Sequence, residues 1–327
     1  MRSLSEMLHY YETRIQEPFY SWIMAAYNKL LMIRNPEKMT HPGIKNPQQT
    51  FYMIRLDNQG IGLASFYDEV LGAMKYASKR GYVPVVDISD PDCSLVDPER
   101  KGDAWEYYYA GIETNGKIYS KEDAAAAANV IYHDQRLITL YKRYSPKEIY
   151  CRSELSKRIY YNEETKCFLE KMEREILAEM PRIAVYYRGT DYKTHGNYVP
   201  VGHPKVMEIE SFWHEVREYA DKVGCPNIFF VTEEQEALDY VLLNKEELKV
   251  AYIPKKRFSN FGFDTSISSK ILPGVSRFEN NLLYLLDLDM MSKCQYLFGP
   301  FNSGIQMALN LNGGEYRDVH IVDIGRN

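Results

Sequence analysis

Arg188 stands where an apolar run ends in a sharp turn. Within 182–203, RIAVYYRGTDYKTHGNYVPVGH, the segment from Ile183 to Tyr187 gives way to Arg188, Gly189, Thr190 and Asp191. A guanidinium is planar and permanently charged, and its fork of donors suits a phosphate. Two further stretches place polar groups directly after apolar runs. Thr232, Glu233 and Glu234 follow IFFV, while Pro300, Phe301, Asn302, Ser303 and Gly304 follow YLFG and open a helical pattern. Free backbone N–H groups and the helix dipole at such an opening favour an anion. Asp287 and Asp289 lie in LLYLLDLDMMSKC, an apolar setting in which an acid must find a partner or line a cavity. An arginine and a helix N-terminus together can clamp a diphosphate, and acids can accept the N–H donors of a base. Such a set describes a nucleotide-sugar site that works without a metal, and the chain contains no Walker A loop.

For these groups to converge, each must sit at the carboxyl end of a buried strand, where open α/β sheets place their ligands. The C-terminal half supplies such strands at 183–187, 227–232, 250–253, 296–299 and 319–324, with helical patterns at 206–223, 234–243, 279–293 and 303–311. This alternation predicts a mainly parallel sheet with helices on both faces. In the N-terminal half the pattern predicts helix over 3–34 with a break at Pro18, a loop over 35–50, strand over 51–56, helix to 79 and strand over 82–87. Residues 88–121 read as irregular, 123–128 and onward to 144 as helical, and 154–180 as a helix connecting two domains, 1–180 and 181–327. Gly60 and Gly62 lack the third glycine of a dinucleotide fingerprint, so this loop is better read as lining a cleft. Asn58 and Gln59 there could bind a polyhydroxylated acceptor. Trp105 and Glu106, amid Tyr107, Tyr108 and Tyr109, suit either a sugar face or a satellite core under a long loop.

The formal net charge of -5 argues against a chain dedicated to nucleic acid. Five well-separated cysteines without a C-x-x-C pair point to a reduced, cytoplasmic setting and no structural zinc. No apolar stretch reaches the ~18 residues a spanning helix needs. Residues 18–33 are apolar and aromatic, which fits a packed helix or a peripheral contact with a membrane surface.

Three segments carry a resemblance. YYRGTDY at 186–192, FFVTEEQEAL at 229–238 and LLYLLDLDMMSKCQYLFGPFNSGIQMAL at 282–309 resemble, in order and spacing, the motifs of the fucosyltransferase superfamily that includes the α-1,6 and O-fucosyl enzymes. The RGTDY…GHP segment also resembles bacterial enzymes of surface-polysaccharide synthesis. The likeness covers 182–312 well and the N-terminal half in outline. It implies a GT-B-like fold of two facing Rossmann-like domains, and a metal-independent, inverting transfer of fucose from GDP-fucose to a glycan, with no cofactor beyond the donor. By position it places Arg188 on the β-phosphate, Asp287 on guanine, and Asn302 and Ser303 in a phosphate-facing loop. Tyr186, Thr232 and Glu233 complete the implied donor side. Asp191 orients Arg188 or takes a proton, and His195, His203, Asp68, Glu69 and Glu106 are further candidates for the base. Departures from the family pattern are Gly189 for a second arginine, Tyr186 for a histidine, Tyr192 for a lysine and Glu233-Glu234 for paired aspartates. They leave open another nucleotide sugar, or a non-catalytic protein of the same shape that binds glycan or nucleotide.

Overall fold

The computed structural model describes residues 19–57, 61–137, 144–177, 182–193, 203–259 and 271–326. In the N-terminal half the strands are β1 (Met39–Thr40), β2 (Phe51–Arg55), β3 (Val83–Asp87), β4 (Tyr109–Thr114), β5 (Lys117–Ile118), β6 (Val130–Tyr132) and β7 (Ile159–Tyr161). The C-terminal half adds β8 (Ile183–Tyr186), β9 (Asn227–Val231), β10 (Lys249–Ala251), β11 (Tyr296–Pro300) and β12 (Asp318–Val322). One sheet runs β1-β6-β2-β3, with β6, β2 and β3 parallel and β1 antiparallel at the edge. A second runs β10-β9-β8-β11-β12 and is parallel throughout, and a small third, β5-β4-β7, is antiparallel. Strands β2, β8 and β9 bury side chains on both faces, which is why they appear in the sequence as unbroken apolar runs.

Three sequence expectations change. Residues 88–121 are not wholly irregular, because β4 and β5 form a hairpin with Thr114 opposite Lys117. Asn115 and Gly116 between them both have positive φ, 54° and 78°. That is the two-residue turn an Asn-Gly pair favours. The single helix over 154–180 is instead two helices, Pro146–Ser156 and Glu163–Ile176, separated by β7. Asn162 restarts the second by accepting the Thr165 N–H through its side chain at 2.8 Å. Val130 and Ile131, expected to be helical, pair with β2 because their branched side chains fill the sheet.

The expected break at Pro18 and the helix before it lie outside the described residues, and the Phe19–Arg34 helix is not packed as expected. Among its side chains only Tyr20 is buried, and Trp22 and Ile33 are 67% and 69% exposed. No helix among the described residues is long and apolar enough to cross a membrane.

The main apolar cluster ignores the division of the chain. Ile54, Phe66 and Leu71 join Tyr186, Leu286, Ile305 and Leu309 in one core. The Ser303–Asn312 helix packs on the Leu63–Ser78 and Pro146–Ser156 helices of the other half. Beside it, Arg152 binds Asp68 and Glu148, and Lys75 also donates to Glu148. The two sheets are thus held in a set relation by apolar packing, and the buried ionic network braces the two N-terminal-half helices on which the Ser303–Asn312 helix sits.

One consequence concerns acid stability. His133 is buried with its Nδ1 2.8 Å from the Tyr52 hydroxyl, and burial lowers its pKa from 6.5 to about 4. The unfolded chain takes up this proton near pH 6.5 and the folded one does not. Stability present above pH 6.5 is therefore lost as pH falls towards 4, by about 3 kcal/mol. Urea titrations of His133→Gln against the parent across this range should show that acid limb flattened.

Candidate functional site

Strands β8, β9 and β11 end on the same side of the parallel sheet, and the three polar clusters of the sequence meet there. A cleft of about 270 Å³ opens between that edge and the start of the Leu63–Ser78 helix. Arg188, Glu233, Asn302, Ser303 and Tyr186 all line it.

Arg188 is held rather than loose. Its Nη1 donates to Glu233 Oε1 at 3.0 Å and to the Tyr186 hydroxyl at 3.4 Å, and its guanidinium lies 5.0 Å from the centre of the Tyr192 ring. The Tyr186 hydroxyl donates to the same Glu233 oxygen at 3.1 Å and lies 3.4 Å from that of Tyr284. Burial, then the Glu233 charge, pushes both phenols well above their ordinary range, so they stay neutral donors. The other Glu233 oxygen, Oε2, is buried with no hydrogen-bond partner among the described residues.

The turn after β8 requires glycine. A Cβ at Gly189 would lie 1.8 Å from Glu234 Oε2, and Lys193 holds that carboxylate through Oε1 at 2.6 Å. The paired acids therefore divide the work, Glu233 facing Arg188 and Glu234 pinning the turn. Thr232 is buried and absent from the cleft lining. Its hydroxyl accepts the Glu234 N–H at 3.1 Å and its carbonyl accepts Arg257 Nε at 3.1 Å, so it shapes the turn that presents Glu233.

At the third strand end Asn302 caps the Ser303–Asn312 helix, its Oδ1 accepting the Ile305 N–H at 3.0 Å. Its Nδ2 has no partner among the described residues although Asn302 is only 8% exposed. Ser303 Oγ accepts from Ser65 Oγ at 2.9 Å, which ties this helix start to that of the Leu63–Ser78 helix across the cleft. Two helix N-termini therefore face one space, each with backbone donors suited to an anion. Gly304 lies flat against the aromatic wall: an added Cβ would meet the Tyr186 ring at 2.7 Å and the Tyr284 hydroxyl at 2.9 Å. Gly304→Ala should cost about 1–3 kcal/mol of stability in urea denaturation, the usual range for overpacking. It should also weaken ligand binding by turning Tyr186 away from Arg188.

Several expected residues lie elsewhere. Asp287 is buried outside the cleft lining and paired with Lys255; burial raises its pKa and the Lys255 charge pulls it back only in part. Asp289 is likewise internal, 2.9 Å from Lys293 and accepting the Tyr161 hydroxyl at 3.2 Å. Trp105 is not a sugar platform on this cleft. It stacks on Tyr109 at 4.1 Å within the core, while Glu106 faces outward 3.9 Å from Lys121. Glu69 is half-buried and outside the cleft lining, whereas His203 lines the cleft with its ring 4.4 Å from that of Tyr192. Asn58, Gln59 and His195 lie outside the described residues, as does the side chain of Asp191. Among the described residues, no group of three or more His, Cys, Asp or Glu is arranged to hold a metal.

The cleft also contains residues the sequence reading passed over: Ser65, Lys255, Phe258, Asn281 and Tyr284. One signal was available, since Asn280, Asn281 and Tyr284 lie one turn apart on the helix that carries Asp287.

No protein-family model and no curated protein matches the chain. Solved structures do. The chain superposes on the fucosyltransferase NodZ from Bradyrhizobium with a TM-score of 0.50 and 14% identity, over 80% of this chain and 92% of that one. It superposes on POFUT1, solved in complex with GDP, with a TM-score of 0.50 and 10% identity, over 84% and 99% of the two chains. The chain therefore has the mixed α/β, GT-B-type fold of fucosyltransferases.

Proposed function

We propose that the chain is a glycosyltransferase that moves a sugar, foremost fucose, from its GDP conjugate to a glycan acceptor with inversion and without a metal. The observation that carries this reading is the convergence of Arg188 and the start of the Ser303–Asn312 helix on one cleft, with Asn302 Nδ2 lacking a partner among the described residues. A diphosphate placed there meets a fixed guanidinium, an amide donor and backbone N–H groups. As the bond between the anomeric carbon and the phosphate oxygen breaks, negative charge grows on the β-phosphate. Arg188 and the helix start stabilise that charge, and their hydrogen bonds strengthen in the transition state. The acceptor oxygen attacks from the opposite face of the sugar and loses its proton to a base, for which Asp191 and His195 on the segment after β8 are the candidates.

The test is thermal stabilisation by GDP, UDP, dTDP, CMP and ADP in parallel, followed by release of GDP from GDP-fucose with glycan acceptors. A ligand bound only by the folded state stabilises it by about 2.7 kcal/mol at 100 times its dissociation constant. GDP should raise the melting temperature most. The reading fails if no nucleotide shifts it.

A further inference from the structure

The Phe19–Arg34 helix carries charge at only two of its 16 residues, Lys29 and Arg34. A helix apolar nearly all round is ordinarily buried on every side, and this one is covered on one face. The inner face carries the buried Tyr20 and Met32, whose sulfur lies 3.7 Å from the Tyr76 hydroxyl. The opposite face carries Phe19, Trp22, Ala26, Leu30 and Ile33, all exposed, the four large ones by more than half. At about 100° per residue these five fall in a strip about 80° wide that runs the length of the helix, with Lys29 along one edge and Arg34 along the other. Phe19 and Trp22 lie edge to face on it, their ring centres 6.1 Å apart.

The charge around the strip has one sign. Within residues 19–50 the basic side chains are Lys29, Arg34, Lys38 and Lys45, and the acid is Glu37. All four bases are exposed. Glu37 is engaged by the body of the protein instead, its carboxylate accepting the Tyr76 hydroxyl at 2.6 Å and the Tyr82 hydroxyl at 3.3 Å, 4.0 Å from Arg80. Met39 and Ile44, just beyond the helix, are exposed as well.

We infer that this helix docks the protein on an anionic phospholipid surface, lying in the plane of the interface. The apolar strip enters the boundary of the acyl chains, Trp22 sits at the headgroup level that suits its amphipathic ring, and Lys29 and Arg34 reach sideways to lipid phosphates. A second copy of the chain fits the strip worse, because a symmetric pairing brings the basic edges of both copies together with no acid on either helix to offset them. The inference is independent of the nucleotide-sugar reading.

Trp22 is its own reporter, because the other two tryptophans, Trp105 and Trp213, are buried. The whole chain is mixed with vesicles of phosphatidylcholine alone or of phosphatidylcholine with phosphatidylglycerol, and binding is read by co-sedimentation and by tryptophan emission. The anionic vesicles should bind the protein and shift its emission to the blue, and the neutral ones should bind it at least about 10-fold more weakly. Lys29→Gln with Arg34→Gln should weaken binding to the anionic vesicles by about 25-fold, about 5-fold for each charge removed. Leu30→Ser with Ile33→Ser should abolish the blue shift while the melting temperature stays that of the parent, since both side chains already face water. The inference is overturned if the parent fails to bind anionic vesicles, binds neutral ones equally well, binds with its emission unchanged, or keeps its binding in either double variant. It is also overturned if the parent is a dimer in free solution that Leu30→Ser with Ile33→Ser splits, for then a second copy covers the strip.

Discussion

Arg188→Ala should slow sugar transfer by about 100-fold or more, by analogy with the loss of one preorganised donor to a developing oxyanion. The guanidinium is the positive side chain fixed at the end of β8, and its hydrogen bonds to Glu233 and Tyr186 keep it aimed before a ligand arrives. Alanine removes the charge and also leaves Glu233 without its cation. Arg188→Lys keeps a charge and loses the planar fork, and should recover only a minor part of the rate. The fold should persist, because Arg188 projects from a strand end into the cleft and not into the apolar core. Steady-state release of GDP, with the melting temperature of ligand-free protein as the control, measures both effects. Turnover within a few-fold of the parent would remove Arg188 from the reaction.

The largest effect on stability is expected at Arg152. Its side chain is 3% exposed and that of Asp68 is 5% exposed. Arg152 Nη1 binds both the main-chain carbonyl and the carboxylate of Asp68, and Nε donates to Glu148 Oε1 at 3.0 Å. Removing one partner of a buried ion pair strands the other, at a cost of about 3–5 kcal/mol. Arg152→Ala should lose that amount in urea denaturation. Arg152→Met combined with Asp68→Leu should recover much of it, because an apolar pair of similar volume carries no desolvation penalty. The effect should reach the cleft as well, since Asp68 sits on the helix whose first turn holds Ser65 against Ser303. An unchanged denaturation midpoint in Arg152→Ala would show that water solvates this network.

What the sequence revealed and what it concealed follow from the range of the interactions involved. The three strand ends were legible because a buried parallel strand writes itself as a continuous apolar run, and the polar residue after it is then conspicuous. The hairpin at Asn115 and Gly116 was equally local, and its turn signal was present in the sequence but passed over among the aromatic residues before it. Asp287 was readable as an acid in need of a partner, yet Lys255 lies 32 residues earlier, after a three-residue strand, and only the fold brings them together. Trp105 illustrates a different limit. A ring that stacks on Tyr109 in a core and a ring that stacks on a sugar have the same composition, and only burial separates them. Glu233 was visible as one of a pair, but the sequence cannot divide the pair. That division depends on Gly189 lying against Glu234.

The apolar cluster that runs from Ile54 to Leu309 bears on how the molecule comes apart. Because that cluster draws on both halves, loss of one half strips apolar cover from the other. Heating should therefore yield one cooperative transition, with calorimetric and van't Hoff enthalpies in agreement. A fragment limited to residues 182–327 would leave Leu286, Ile305 and Leu309 open to water and should aggregate. Proteolytic nicking should accordingly produce chains that remain associated until the whole assembly melts.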